Sequence, residues 1–166
     1  MQKNTWFQKA LQNFTQDAAS LGAVRHLADL GKTVKEIEAE LSYPTPHELV
    51  QKTVWERLLE NGTILREAPS GRETVAKAEF VREYNAYGKA SFRRVVKIRE
   101  VERDPEEYVP CRFGEEAPAE LQKRLQKAGV EEKDAEYILG LPWEKGTVYH
   151  KKTERILRIM RKLGIM

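Results

Sequence analysis

Six polar side chains in two stretches of the sequence have the chemistry needed to contact a nucleic acid. Glutamine can pair with adenine, and lysine can reach a guanine edge or a phosphate. Arginine binds phosphate oxygens, which position a protein on a duplex without reading its sequence. We therefore predict DNA as a partner and a nucleic-acid interface made by His47, Gln51, Lys52, Lys89, Arg93 and Arg94.

Motifs that would indicate catalysis are missing from the sequence. It has no phosphate-binding loop, dinucleotide fingerprint, HExxH zinc motif or serine-elbow motif. Glu36, Glu38 and Glu40 alternate along a short helix and indicate a solvated surface rather than an acid–base pair. Cys111 has no sequence neighbour that would activate its thiol, so we interpret it as structural. We expect no enzymatic activity and no cofactor.

Composition limits the remaining classes of protein. The three histidines lie far apart and have no cysteine partners, so no metal site is expected. The single cysteine excludes an internal disulfide and favours a reducing, cytoplasmic location. No apolar run of about 18 residues is present, so we expect neither a membrane span nor a membrane partner.

The net charge of +3 is unevenly distributed along the chain. Residues 66–99 carry nine basic and four acidic side chains, and residues 145–166 carry seven basic and one acidic. Residues 100–120, between them, carry two basic and eight acidic side chains. The two basic zones could bind a large polyanion. Alternatively, they are ordinary solvated surfaces.

Helical periodicity dominates the first 62 residues. Thr5 is a candidate cap for a first short helix, and a second helix is predicted from about Asp17 to Leu30, ended by Gly31. Thr33 and Glu36 are spaced as a capping box, which predicts a short helix after that glycine. Residues 17–62 should therefore contain three helices.

Two prolines separate the last two of these helices. Thr45 is the predicted cap of the third helix, and Pro46 can occupy its first position. The helix should end at Gly62 and bury Trp55 and Leu58 in a core formed with Leu27, Ile37 and Leu41. This packing leaves one face of the third helix open.

These segments resemble the winged helix-turn-helix superfamily. The matching pieces are residues 27–31, 33–41 and 54–64, and the resemblance covers about residues 17–100. It implies that the helix of residues 46–61 enters the major groove of DNA and that a β-hairpin wing follows. The same fold also serves protein contacts without nucleic acid.

A long hairpin is predicted within residues 63–101. Phe80, Arg82 and Tyr84 fall on one side of its first strand, with Glu79, Val81 and Glu83 on the other. Residues 85–89 have turn composition. The basic wing could contact phosphates, or it could be an exposed hairpin that charge protects from aggregation. RNA stacking on Tyr84, Tyr87 and Phe92 is a weaker alternative.

The rest of the chain completes an α+β fold. Residues 1–101 are predicted as a winged-helix-like domain with an N-terminal helix, and residues 102–120 as an acidic linker or short strand. Residues 121–166 are predicted as a C-terminal unit of three helices, with Thr147 capping the last one.

Two functions from different classes follow from these features. The first is a DNA-binding protein, such as a transcription regulator, that uses the helix of residues 46–61 and the basic hairpin. The second is a protein-interaction or scaffold module, with a protein partner or a homodimer and no nucleic acid.

Overall fold

The computed structural model describes residues 19–166 and has the α+β fold, with a long antiparallel hairpin, that the sequence predicts. The predicted helix after Thr5 lies outside the described residues. The chain divides into two units. The helical unit contains the described residues up to Glu67 together with Val109–Met166, and the other unit is Ala68–Tyr108.

Three helices form the first part of the helical unit: α1 (residues 19–29), α2 (Val34–Glu40) and α3 (His47–Glu60). The capping box is confirmed, because the Glu36 amide donates to Thr33 Oγ1 and the Thr33 amide donates to Glu36 Oε2. Gly31 and Gly62 both have positive φ (77° and 74°), which allows the chain to leave a helix where other residues would be strained.

The predicted start of α3 is wrong by one residue. The helix begins at His47, and Pro46, rather than Thr45, is its cap residue. The Thr45 hydroxyl donates to the Tyr43 carbonyl at 3.3 Å, so it forms a local turn between the prolines instead of capping the helix.

A small three-stranded sheet contains β1 (Ile64–Leu65), β4 (Tyr108–Cys111) and β5 (Val148–Lys151). Its strand order is β1–β5–β4, and β1 and β5 are antiparallel. Ile64 pairs with His150, so residues far apart in sequence lie side by side. The short strand β4 falls within the segment predicted as a linker or strand.

The prediction that Thr147 caps the last helix is wrong. Residues 148–151 form β5, in which Val148 and His150 are buried and Lys151 is exposed, a period of two rather than 3.6. The last helix, α6 (Glu154–Lys162), is capped by Thr153, whose hydroxyl accepts from the Ile156 amide.

Helices α4 (Pro118–Lys127) and α5 (Glu132–Gly140) match the two other helices expected after residue 120. Asp134 of α5 is buried and accepts two hydrogen bonds from Arg158 of α6, each 3.1 Å long. Together with Arg155, whose Nε lies 3.5 Å from Asp134, these bonds satisfy a buried carboxylate.

The core of the helical unit combines the beginning and the end of the chain. Trp55 and Leu58 are buried as predicted, each 5% exposed. Trp55 packs edge-to-face on Trp143 at 5.5 Å, and Trp143 packs on Phe113 at 5.0 Å. Because of this packing, the predicted boundaries at residues 101 and 120 do not coincide with the two units.

The second unit is a two-stranded ribbon made by β2 (Gly71–Tyr84) and β3 (Ala90–Arg103). The strands pair in register from Gly71 opposite Arg103 to Tyr84 opposite Ala90. Asn85 shapes the turn, since its side-chain oxygen accepts from the Tyr87 and Lys89 amides. The predicted hairpin is confirmed, and below we call Gly71 to Arg103 the ribbon.

Candidate nucleic-acid interface

Helix α3 carries three of the predicted contact residues, and their side chains differ in availability. His47 Nδ1 pairs with the Glu38 carboxylate of α2. The Gln51 side-chain amide donates to the Gly140 carbonyl at 2.9 Å, so its polar end is engaged by α5. The Lys52 side chain is 71% exposed, and its ammonium lies 3.9 Å from Glu56.

The exposed stripe of α3 has more acidic than basic charge. Glu48, Lys52, Glu56 and Glu60 are all exposed and follow one another at intervals of four residues. Residues four apart share a helix face. A phosphate approaching this stripe would meet three carboxylates and one ammonium, which makes the stripe an unfavourable surface for a polyanion.

The ribbon presents two chemically different faces because side chains alternate along each strand. The odd-numbered positions form what we call the ionic face, and the even-numbered positions between residues 76 and 98 form the aromatic face. The ionic face carries charged side chains from both strands: Glu73, Lys77, Glu79, Glu83, Arg93, Lys97, Arg99 and Arg103.

Diagonal ion pairs across the two strands organise the ionic face. Arg93 bonds Glu83 at 3.0 Å, Lys97 bonds Glu79 at 2.7 Å, and Arg103 bonds Glu73 at 3.2 Å. The Lys97 ammonium lowers the pKa of the Glu79 carboxyl by its hydrogen bond and by its charge. Lys77 and Arg99 form no ion pair with a described residue, so their charges face solvent.

On the aromatic face, arginines are interleaved with exposed rings. Phe80, Tyr84 and Phe92 are 72%, 63% and 69% exposed. Arg94 lies opposite Phe80, and Arg82 lies opposite Phe92. The Arg82 guanidinium carbon is 5.1 Å from the Tyr84 ring centroid, which is cation–π distance. This face combines apolar rings with positive charge.

The predicted ribbon residues thus occupy three different positions. Arg93 is on the ionic face and is paired with Glu83. Arg94 is on the opposite, aromatic face, and no described acidic side chain pairs with it. Lys89 is exposed in the turn, where its backbone amide is fixed by Asn85. A single flat ligand cannot contact both Arg93 and Arg94 by their side chains, since these point to opposite faces.

Sequence reasoning did not find a buried polar pair in the helical unit, Tyr137 and His150. Tyr137 Oη lies 2.8 Å from His150 Nε2, and His150 Nδ1 lies 2.6 Å from the Lys151 carbonyl. A carbonyl can only accept, so Nδ1 carries the proton and Nε2 accepts from the tyrosine. The sequence does not reveal this pair, because His150 lies in β5, whose four residues are too few to show a period of two.

Burial sets the protonation of this pair and of its neighbour Cys111. Desolvation lowers the pKa of His150 and raises the pKa of Tyr137 to about 12. It also raises the pKa of Cys111 to about 12, so this thiol stays protonated at neutral pH. These three groups are therefore uncharged, which agrees with the structural role expected for Cys111.

Within residues 19–166, no cluster of three or more histidine, cysteine, aspartate or glutamate side chains has metal-binding geometry. None of the helices in that part of the chain is both long and apolar enough to cross a bilayer.

Comparison with known proteins gives no family for this chain. No family model, no curated protein and no solved structure matches it. The resemblance to the winged helix-turn-helix superfamily therefore stays a prediction, and any function has to be argued from the ribbon and α3 themselves.

Proposed function

We propose that this protein binds nucleic acid, with DNA as the first candidate, and that the ribbon supplies most of the contacts. The observation that carries this proposal is the charge of the ribbon's outer part. Residues 76–99 contain two acidic side chains and the seven basic side chains Lys77, Arg82, Lys89, Arg93, Arg94, Lys97 and Arg99.

Ion pairing leaves most of this positive charge available to a ligand. The two acidic side chains, Glu79 and Glu83, are held by Lys97 and Arg93. The remaining basic side chains of this part of the ribbon form no such pair with a described residue. Phosphate groups that bind there would release condensed counterions, which is the main source of sequence-independent affinity.

The dimensions of the ribbon suit a groove of DNA. The major groove is about 12 Å wide and admits either an α-helix or a two-stranded β-ribbon. Proteins that read DNA with strands place such a ribbon in the major or minor groove. Each strand here has 14 residues, so the ribbon is long enough to follow a groove or the backbone beside it.

Helix α3 has a smaller part in this proposal than the sequence suggested. Its acidic stripe disfavours phosphates, and the Gln51 amide is engaged by Gly140. Lys52 and His47 remain candidate contacts at its exposed end. A role in transcription regulation stays a proposal, as does a cytoplasmic location, for which the single cysteine is the only support.

A protein-interaction module is the second candidate, and one observation favours it. Val96 and Ile98 on the aromatic face are 53% and 70% exposed. Exposed aliphatic side chains beside aromatic rings are typical of a surface that a partner protein covers. This candidate gains support if the folded protein fails to bind nucleic acid.

A binding titration with matched variants tests the proposal. We expect the wild type to bind a labelled random-sequence DNA duplex with a dissociation constant of about 10⁻⁴ to 10⁻⁶ M, measured by fluorescence anisotropy. The double variant Lys77→Ala/Arg99→Ala removes two solvent-facing charges of the ionic face and should bind several-fold more weakly.

The matched control is Lys123→Ala/Lys127→Ala, which removes the same charge from the exposed side of α4. It should bind as the wild type does. Equal weakening by both double variants would show that only total charge matters, and it would contradict a ribbon interface.

A further inference from the structure

We infer, on the basis of the proposed nucleic-acid binding, that the aromatic face of the ribbon binds unpaired bases, so that single-stranded nucleic acid is the preferred ligand. Rings and guanidinium groups alternate on this face both along and across the strands. Phe80 faces Arg94, and Arg82 faces Phe92 on the next pair of positions. Tyr84 continues the row beside the turn.

The spacing of these groups suits a strand of nucleotides. Side chains two residues apart on one strand are separated by about 7 Å, and strands lie about 5 Å apart. Phe80 and Phe92 therefore each have an arginine directly across from them, whereas Tyr84 lies opposite Ala90 and has Arg82 two positions away on its own strand. A base stacked on a ring would have its phosphate within reach of the neighbouring guanidinium group, which is how proteins that bind single strands combine stacking with charge.

The rings are open to such a ligand. Phe80, Tyr84 and Phe92 each expose more than half of their surface, and no pair of these rings is in stacking contact. A two-stranded ribbon cannot bury its own face, since burial needs a second layer. A flat, apolar base can cover a ring at little conformational cost to the protein.

The charge of the aromatic face favours a polyanion over a protein partner. Its positions from residue 76 to residue 98 carry Arg82 and Arg94 and no acidic side chain. All the carboxylates of the outer part of the ribbon lie on the ionic face instead. Between residues 76 and 98, an incoming phosphate therefore meets positive and apolar groups, and the acidic side chains of this side, Glu100 and Glu102, lie at the other end of the ribbon from the turn.

Base pairing explains why a single strand should bind better than a duplex. In a duplex the faces of the bases are covered by their neighbours, and a ring can reach them only after a base is unstacked. In a single strand the faces are free, and stacking tolerates any base. The ionic face, which contacts phosphates, should not distinguish the two forms.

The test compares a labelled thymidine oligonucleotide with a duplex of the same length at equal salt. We expect the full-length wild type to bind the single strand about tenfold more tightly. The variant Phe80→Leu/Phe92→Leu keeps apolar side chains but removes the rings, so it should lose this preference and keep its duplex affinity. A uridine oligonucleotide of the same length shows whether RNA and DNA strands bind equally.

Circular dichroism establishes that the double leucine variant keeps the ribbon. If it does not, Tyr84→Leu replaces it, because Tyr84 lies opposite the small Ala90 and contributes little to cross-strand packing. Lys77→Ala/Arg99→Ala serves as the comparison and should weaken binding to both ligands.

Equal affinity of the wild type for strand and duplex would overturn this inference and leave the proposed function intact, as would a preference that survives loss of the rings. Absence of binding to either ligand by the folded protein would overturn both. In that case a protein partner becomes the occupant of the aromatic face.

Discussion

The surroundings of the His150 side chain favour its neutral imidazole form in the folded protein. Its ring is 1% exposed, its Nδ1–H donates to the Lys151 carbonyl, and its Nε2 accepts from Tyr137. Arg155 stacks on the Tyr137 ring at 4.8 Å and adds a positive charge nearby. Both burial and this charge lower the pKa of His150, so the neutral ring is the folded form.

The protonation of His150 predicts how stability depends on pH. The folded-state pKa of His150 is below the ordinary value of about 6.5. As the pH falls through that range, the unfolded chain therefore binds more protons than the folded protein does, and the folded state loses stability. The His150 contribution is therefore complete above about pH 6.5 and is lost below it. Urea unfolding at about pH 7.5 and 5.5 should show a loss of no more than about 1.4 kcal/mol per pH unit from this group.

Two variants separate His150 from the other titrating groups. His150→Gln should show a smaller loss of stability over the same pH interval, because no imidazole remains to take up a proton. The control is His26→Gln, which removes an exposed histidine of α1 and leaves the buried pair of Tyr137 and His150 intact. Identical pH dependence of the wild type and His150→Gln would refute the assignment.

At the scale of elements, the 3₁₀ turn Phe113–Glu115 packs with its backbone directly against the backbone of the segment that follows α5. A methyl group on Gly114 would lie 2.9 Å from the Trp143 carbonyl oxygen and closer still to that of Glu144. These atoms belong to the backbone beside the Trp55–Trp143–Phe113 cluster. Position 114 therefore requires glycine, because a side-chain carbon would overlap these backbone atoms.

Gly114→Ala should therefore destabilise the protein by about 1–3 kcal/mol, since the backbone must move to admit the methyl group. Gly22→Ala is the control, because nothing lies within 4 Å of its added carbon and alanine favours the helix by up to about 1 kcal/mol. Denaturant midpoints measure both. A Gly114→Ala protein as stable as Gly22→Ala would show that the two segments are not held this closely.

Local signals explain which elements could be predicted from the sequence. The Thr33 and Glu36 capping box, the glycines at helix ends and the turn at Asn85 act over four or five residues, so the sequence displays them directly. The alternation of Phe80, Arg82 and Tyr84 likewise predicts which side chains of the first strand share a face, and the register of the ribbon confirms it.

Long-range pairing explains what was missed. Strand β5 has only four residues, and its identity depends on pairing with Ile64 and Leu65, more than 80 positions earlier. The hydrogen bond from Gln51 to Gly140 likewise joins residues 89 positions apart, so the exposed face of α3 cannot be predicted from the periodicity of α3 alone. A four-residue segment carries too few positions to reveal its period.

At the scale of the whole molecule, the two basic zones of the sequence differ in how much charge they offer. In the C-terminal zone, Arg155 and Arg158 bind Asp134, and Lys162 donates to the Gly129 carbonyl. Three other basic side chains of that zone form no ion pair with a described side chain, whereas five do so between residues 76 and 99 of the ribbon: Lys77, Arg82, Lys89, Arg94 and Arg99. The ribbon is therefore the stronger candidate for a polyanion.

The salt dependence of DNA binding tests this account most directly. For a random-sequence duplex, the logarithm of the wild-type affinity should fall linearly with the logarithm of salt concentration, by about 0.9 for each phosphate neutralised. Lys77→Ala/Arg99→Ala should reduce the magnitude of that slope by about 2, one contact for each side chain removed. A slope that is unchanged in this variant, or wild-type binding that does not depend on salt, would contradict phosphate contacts by the ribbon.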